Sequence, residues 1–171
     1  MKAKKTEQIR LEKIDAKNVW DVIELRTKRE QKGFVADNDV SIVQAYTAQG
    51  TGCTAFPFAV FNGKRPVGFV MVGYNEAALY EFYDEEPPAS LKHNYSIWRL
   101  MIDRRYQGRG YGRQALRLAL EFVRTLPCGK AELCEISYEP ENEVARTLYA
   151  SLGFEENGEM DGDEVVAVLK L

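Results

Sequence analysis

The chain has 171 residues, 45% of them hydrophobic and 29% charged, which is enough for one domain with its own core. Its formal net charge of -3 argues against nucleic acid as a routine partner, because phosphate binding needs a basic face; a cationic or neutral partner suits it better. No apolar run reaches membrane-spanning length and the segment Met1–Arg10 lacks the apolar core of a signal peptide, so a reducing cytoplasm is the expected location.

Ile9, Leu11 and Ile14 alternate with charged residues, as a half-buried first strand does. Val19, Trp20, Val22, Ile23 and Leu25 predict a helix from Lys17 to about Arg29. A link from Gly33 to Asp37 follows, and Asn38 or Asp39 caps a second helix carrying Ile42, Val43, Ala45 and Tyr46. Phe58–Phe61, Asn62-Gly63 and Val67–Tyr74 read as an antiparallel hairpin, with Lys64-Arg65-Pro66 leaving room for a loop longer than two residues. An acidic, proline-containing stretch from Glu76 to Pro88 precedes a strand over Tyr95–Ile102.

Leu116, Ala119, Leu120 and Val123 recur at helical spacing, and that helix stops near Leu126-Pro127 with Gly129 behind it. Ala131–Tyr138 is a strand. Pro140 precedes a helix from Glu141 to Leu152, which Gly153 ends. Phe154–Glu156 and Val165–Leu171 form a last hairpin around a turn over Gly158–Asp163. The order is β-α-α-β-β-β-α-β-α-β-β, a mixed α/β domain with antiparallel strands early and a βαβ unit in the middle. Cys53, Cys128 and Cys134 lack CxxC spacing and, with His93 as the only histidine, make no zinc site. Packed thiols are the plain reading, and no metal is expected. His93 reads as a surface residue near a strand start.

The informative segment is Ile97–Arg113. A strand runs into Gln107-Gly108-Arg109-Gly110-Tyr111-Gly112, and those alternating glycines lead straight into a helix. Backbone N–H groups there can converge on an anion, helped by the helix's positive end. Arg104, Arg105, Arg109 and Arg113 add to the field, so a pyrophosphate fits. Rossmann spacing with its downstream acid is absent, and so is the Gly-Lys-Ser/Thr of a Walker loop. Taken alone, such glycines are also compatible with a plain turn.

Gln107–Gly112 resembles the Q/R-x-x-G-x-G/A signature of the GNAT acetyltransferase superfamily. Asn142, Ala145, Leu148-Tyr149 and Leu152-Gly153-Phe154 resemble that superfamily's N-x-x-A-x-x-L-Y-x-x-x-G-F helix at the expected distance. Further likeness at Tyr95–Gly110, at Ser137–Glu143 and in the tail from Glu156 to Glu164 is to the bacterial spermine/spermidine (diamine) acetyltransferases. The resemblance implies a mostly antiparallel central sheet splayed between strands 4 and 5, and a single N-acetyltransferase domain over 1–171.

It also implies roles. Acetyl-CoA is the cosubstrate, with its pantetheine arm beside Leu100, Met101 and Ile102 and the Met101 N–H facing the thioester oxygen. Gly108, Arg109, Gly110, Tyr111, Gly112 and Arg113 cradle the pyrophosphate, Asn142 bonds the arm, and Gln107 and Ala145 complete the coenzyme contacts. Tyr149 protonates the departing thiolate. Attack by the amine is direct, so no cysteine nucleophile is needed. The general base stays unassigned, because Trp98 stands where some relatives carry glutamate.

Glu76, Glu81, Asp84, Glu85 and Glu86, interleaved with Tyr80, Phe82 and Tyr83, suit a small cationic amine, although a solvated loop explains them equally well. Asp37 is a further candidate, and Glu81, Asp84 and Glu85 complete the expected acceptor contacts. Asp161-Gly162-Asp163 reads as a turn rather than a calcium loop. The expected activity is acetylation of spermidine, spermine or a similar diamine. Another amine acceptor, or a non-catalytic acyl-CoA sensor, is the alternative. Neither nucleic acid nor membrane is expected as a partner, and the family's habits suggest a homodimer.

Overall fold

A computed structural model describes residues 8–171; the reading of Met1–Arg10 therefore lies largely outside the described residues. One seven-stranded sheet runs in the order β1-β2-β3-β4-β5-β7-β6. Its strands are β1 (Ile9–Lys13), β2 (Thr54–Asn62), β3 (Arg65–Tyr74), β4 (Tyr95–Ile102), β5 (Leu133–Tyr138), β6 (Glu155–Asp161) and β7 (Glu164–Lys170). The helices are α1 (Val19–Ile23), α2 (Asn38–Thr47), α3 (Tyr111–Arg124) and α4 (Glu143–Ala150). This is the expected element order, with short 3-10 turns added at Glu76–Phe82 and Ala89–Leu91.

The alternation of a strand sends successive side chains to opposite faces, and here both faces are covered. Val70 and Val72 of β3 pack with Leu116, Ala119 and Val123 of α3. Phe69 and Met71, one residue out of phase, pack with Val22 of α1 and Ala45 of α2. Burial on both faces is why β3 reads as a nearly unbroken apolar run. Gly68 sits where β3 and β4 come closest, since a Cβ there would lie 2.5 Å from the Met101 carbonyl oxygen.

Every strand pair but one is antiparallel; β4 and β5 are parallel and pair only at Tyr95 with Cys134 and Ser96 with Glu135. The β3–β4 register explains the early end. Met71 faces Arg99 while Val72 faces Ile97, so Trp98 is the extra residue of a β-bulge. A bulge bends and twists its strand, and beyond this one β4 leaves β5. The expected splay between strands 4 and 5 is present, and the bulge sits at its apex.

Four expectations need correction. The first helix ends at Ile23 rather than near Arg29, because the Arg26 N–H donates to Asp103 Oδ2 at 3.0 Å and the Arg26 carbonyl accepts from the Arg104 N–H at 2.8 Å. Those bonds draw the backbone out of the helix. Asp37, not Asn38 or Asp39, occupies the N-cap position of α2, and Asn38 is buried, donating its Nδ2 to the Val22 carbonyl at 2.9 Å. The β2–β3 turn has two residues, Gly63-Lys64, with Gly63 at a φ of 58°; an irregularity at Val60/Phe61 absorbs the rest. Finally, β6 extends to Asp161, so the last turn is Gly162-Asp163.

Candidate active site

The splay opens a cleft of about 540 Å³, walled by β4 on one side and by α4 on the other, with the start of α3 at its end. Since pairing with β5 stops at Ser96, the backbone groups of Leu100 and Ile102 are left facing the cleft. Met101, opposite Phe69 and two residues before the Asp103 N–H that donates to the Val67 carbonyl at 2.9 Å, turns its N–H toward β3 instead, which corrects the expected role of that amide. Every residue expected to hold the coenzyme contributes to the wall except Arg109. That side chain instead donates to the Arg105 carbonyl at 3.3 Å and stacks 5.6 Å from the centre of the Tyr106 ring.

The glycine loop is built for backbone exposure. Gly108 and Gly110 take φ values of 75° and 79°, a left-handed conformation that costs other residues strain. No heavy atom lies within 4 Å of a Cβ placed on either, so their surroundings are open to a ligand. The first i→i−4 bond of α3 runs from the Gln114 N–H to the Gly110 carbonyl at 3.2 Å. The amides of Gly112 and Arg113 precede it, at the helix end where anions bind.

Two tethers fix the loop. Gln107 donates its Nε2 to the Ile102 carbonyl at 2.9 Å and to Gln31 Oε1 at 2.7 Å. Asp103 is 2% exposed and takes bonds from Arg105 and from the Arg26 and Arg105 amides. Burial works to raise its carboxyl pKa, but those donors outweigh it and hold the group below its usual range. Arg105 is thereby committed to Asp103. Of the four loop arginines, Arg113 alone lines the cleft. Tyr111 is a core residue whose hydroxyl accepts from Asn62 Nδ2 at 2.8 Å.

On the opposite wall, Asn142 caps α4, its Oδ1 accepting from the Ala145 N–H at 3.2 Å. That leaves the amide Nδ2 as the remaining donor of a residue that lines the cleft. Tyr149, about two turns further on, is buried and packs edge-on against Tyr138 at 5.5 Å and tilted against Phe154 at 6.2 Å. Burial, with the negative field of Glu164 and the Tyr138 neighbour, pushes its phenol pKa far up. It therefore stays protonated at neutral pH, as a donor to a sulfur anion must, while the same shift makes it a weaker acid than a free phenol.

A second cavity of about 320 Å³ adjoins the first and shares Ile97, Trp98, Arg99, Ser137 and Glu164 with it. Its other carboxylates are Glu76, Glu85, Glu135 and Asp161. Burial raises Glu76 to about 7 against the pull of Ser96 and Arg99. Burial and the surrounding acids raise Glu135 to about 9, and its buried Oε2 has no hydrogen-bond partner. The phenol of Tyr80 donates to Asp161 Oδ1.

Among the described residues one cation, Arg99, lines the same cavity. Arg99 donates to the Trp98 carbonyl at 2.7 Å and to Gln44 Oε1 at 3.0 Å, while its Nε is buried without a partner. Burial lowers its pKa against the upward pull of Glu76, Glu164 and Asp161. A pocket with this excess of desolvated carboxylate favours a guest carrying positive charge.

Of the expected acceptor contacts, Glu85 lines this cavity, whereas Glu81, Asp84 and Asp37 line neither cavity. Sequence reasoning missed Glu135, Asp161, Glu164 and Arg99. Glu135 carried a signal, as a charge inside the apolar strand Leu133–Tyr138. The thiols of Cys53 and Cys134 are buried and pushed up, Cys53 to about 12, so neither is a thiolate nucleophile.

A cleft between splayed parallel strands, with a glycine-led helix end at its floor and a buried phenol above, defines an acyl-coenzyme-A transferase architecture. The Acetyltransferase (GNAT) family matches residues 19–154, and the chain belongs to that family; it is an acetyl-CoA-dependent N-acetyltransferase. The spermine/spermidine N(1)-acetyltransferase of Bacillus subtilis (strain 168) is 28% identical over 150 residues, covering 85% of this chain and 88% of that protein. The spermidine N-acetyltransferase of Vibrio cholerae, solved with CoA and spermine, superposes with a TM-score of 0.65 at 15% identity, covering 96% and 95%. The PaiA N-acetyltransferase of Thermoplasma acidophilum, solved with coenzyme A, gives 0.63 at 14% identity, covering 96% and 99%.

Proposed function

We propose that the protein acetylates a primary amine of spermidine, spermine or a similar diamine by direct attack on acetyl-CoA. One observation carries this reading: the acid-lined cavity borders the coenzyme cleft, the two sharing Ile97, Trp98, Arg99, Ser137 and Glu164. A polyamine spaces its charges along a greasy stem, so one amine can enter the cleft while another remains among carboxylates. The acceptors named for the Bacillus and Vibrio relatives point the same way.

In this reading the α3 end and Arg113 hold the diphosphate, and Asn142 and the β4 backbone guide the pantetheine arm. The Leu100 N–H, on the cleft side of β4, stabilises the charge that develops on the thioester oxygen. Tyr149 gives its proton to the leaving thiolate. A thiol-release assay over spermine, spermidine, putrescine, aminoglycosides and amino acids tests the acceptor. Turnover with the polyamines and little with the rest is expected. Release with another amine class, and none above background with spermidine, would remove the polyamine assignment.

A further inference from the structure

The geometry points to Glu164 as the general base that takes the proton from the attacking amine. The inference rests on the proposed acceptor reading and supplies the group that reading lacks. The position expected to hold a base on β4 is Trp98, whose indole has no proton acceptor and packs against the two apolar clusters that contain Met101 and Leu79.

A base must stand where the amine meets the thioester, and the boundary between the two cavities is the place that serves both. The residues that line both cavities are Ile97, Trp98, Arg99, Ser137 and Glu164. Arg99 is a cation and cannot accept a proton, and Ser137 is already turned toward the carboxylate, donating to Glu164 Oε2. Glu164 is the carboxylate that borders both spaces. Glu76, Glu135 and Asp161 border only the acid cavity, where they can hold a distal ammonium. With Oε2 occupied by Ser137, Oε1 is the oxygen left to meet an amine or a bridging water.

The groups around Glu164 set it to the task. Burial raises its pKa first; Ser137 on β5 lowers it, Asp161 on β6 and Glu139 beyond β5 raise it, and Arg99 on β4 lowers it. Tyr149 on α4 and Glu76 also feel its charge. A carboxylate raised in this way holds a proton better near neutral pH, which is what a base for an ammonium needs.

The proton count closes. An incoming ammonium carries three N–H bonds and the product amide one. Glu164 takes the first proton and releases it to solvent, the nitrogen lone pair forms the C–N bond, and the C–S bond breaks as Tyr149 protonates the thiolate. The second proton leaves the nitrogen through Glu164 and restores the Tyr149 phenol.

Steady-state kinetics of Glu164→Gln with spermidine test this. Gln keeps the shape and can still accept from Ser137. The expected result is a kcat fall of about 100-fold or more, with acetyl-CoA affinity by calorimetry retained. The acid limb of the kcat/KM profile should vanish, and the deficit should shrink above pH 9 as free amine accumulates. Glu164→Asp should recover part of the loss. Independently, Ser137→Ala removes a donor that stabilises the carboxylate, so the acid limb of that variant should move to higher pH. An unchanged limb in Ser137→Ala, or a Glu164→Gln defect confined to the KM for spermidine, overturns the assignment. Wild-type inactivity toward all polyamines defeats the acceptor reading itself, whereas an active wild type matched by Glu164→Gln defeats only the base.

Discussion

At Tyr149 the ring and the hydroxyl have separable tasks. The ring fills the space between Tyr138 and Phe154, and phenylalanine would fill it equally. Only the proton donor is lost in Tyr149→Phe. The departing group is an alkyl thiolate, of the kind whose parent thiol in cysteine has a pKa of about 8.5, so it leaves tolerably without help. The expected kcat loss is therefore about 10- to 100-fold, at or below the lower end for general acids, with acetyl-CoA affinity unchanged. A variant with wild-type kcat would show that solvent protonates the thiolate. Tyr149 was legible because it belongs to a contiguous motif. Glu135, Asp161 and Glu164 were not, because they come from β5, β6 and β7 and meet only through the antiparallel pairing of those strands. The conspicuous acids of the 76–86 segment drew the reading instead, and of those five only Glu76 and Glu85 reach the acid cavity.

Among the elements, the glycine loop and the β4 bulge decide how the coenzyme lies. Gly110 precedes α3 at a φ of 79° with open space around it. In Gly110→Ala the penalty is thus backbone strain of roughly 1–2 kcal/mol, without a clash. Relief of that strain would turn the Gly112 and Arg113 amides, so the KM for acetyl-CoA should rise about 10-fold while the Tm falls by only a few degrees. An unaltered KM would mean that those amides do not hold the diphosphate. Gly68→Ala makes an instructive contrast, since its Cβ would strike the Met101 carbonyl and disturb β4 itself. The element order was readable from periodicity because both strand faces and the α3 stripe follow simple rules. The bulge at Trp98 and the early end of α1 were not. Each depends on a partner far away in sequence, Met71–Val72 for the bulge and Asp103 for the helix.

Across the whole molecule, the acid cavity links substrate binding to stability. Glu135 and Glu76 sit at about 9 and about 7 in the folded chain, against about 4.3 for a free glutamate. Between those values the unfolded chain has already released its protons while the folded one retains them. Stability must then fall as pH rises from about 4.5 toward 9. The two groups are coupled through the same cavity, so the loss is not their sum. A few kcal/mol is the expected scale, at about 1.4 kcal/mol for each pH unit separating a folded from an unfolded value. For a domain of this size that lowers the Tm by roughly 5–10 °C between pH 6 and pH 9. Glu135→Gln should flatten the slope, because the amide carries no charge to desolvate. A polyamine offers the cavity the cations it lacks, so spermidine should restore much of the Tm at pH 8 to 9, where an equal ionic strength of sodium chloride should not. Thermal unfolding across pH, with and without spermidine, reads all three effects. A flat Tm profile from pH 5 to 9 in the ligand-free protein, or a slope unchanged in Glu135→Gln, would mean that water or rearrangement already relieves the buried carboxylates. The cavity would then have no electrostatic deficit for a diamine to fill.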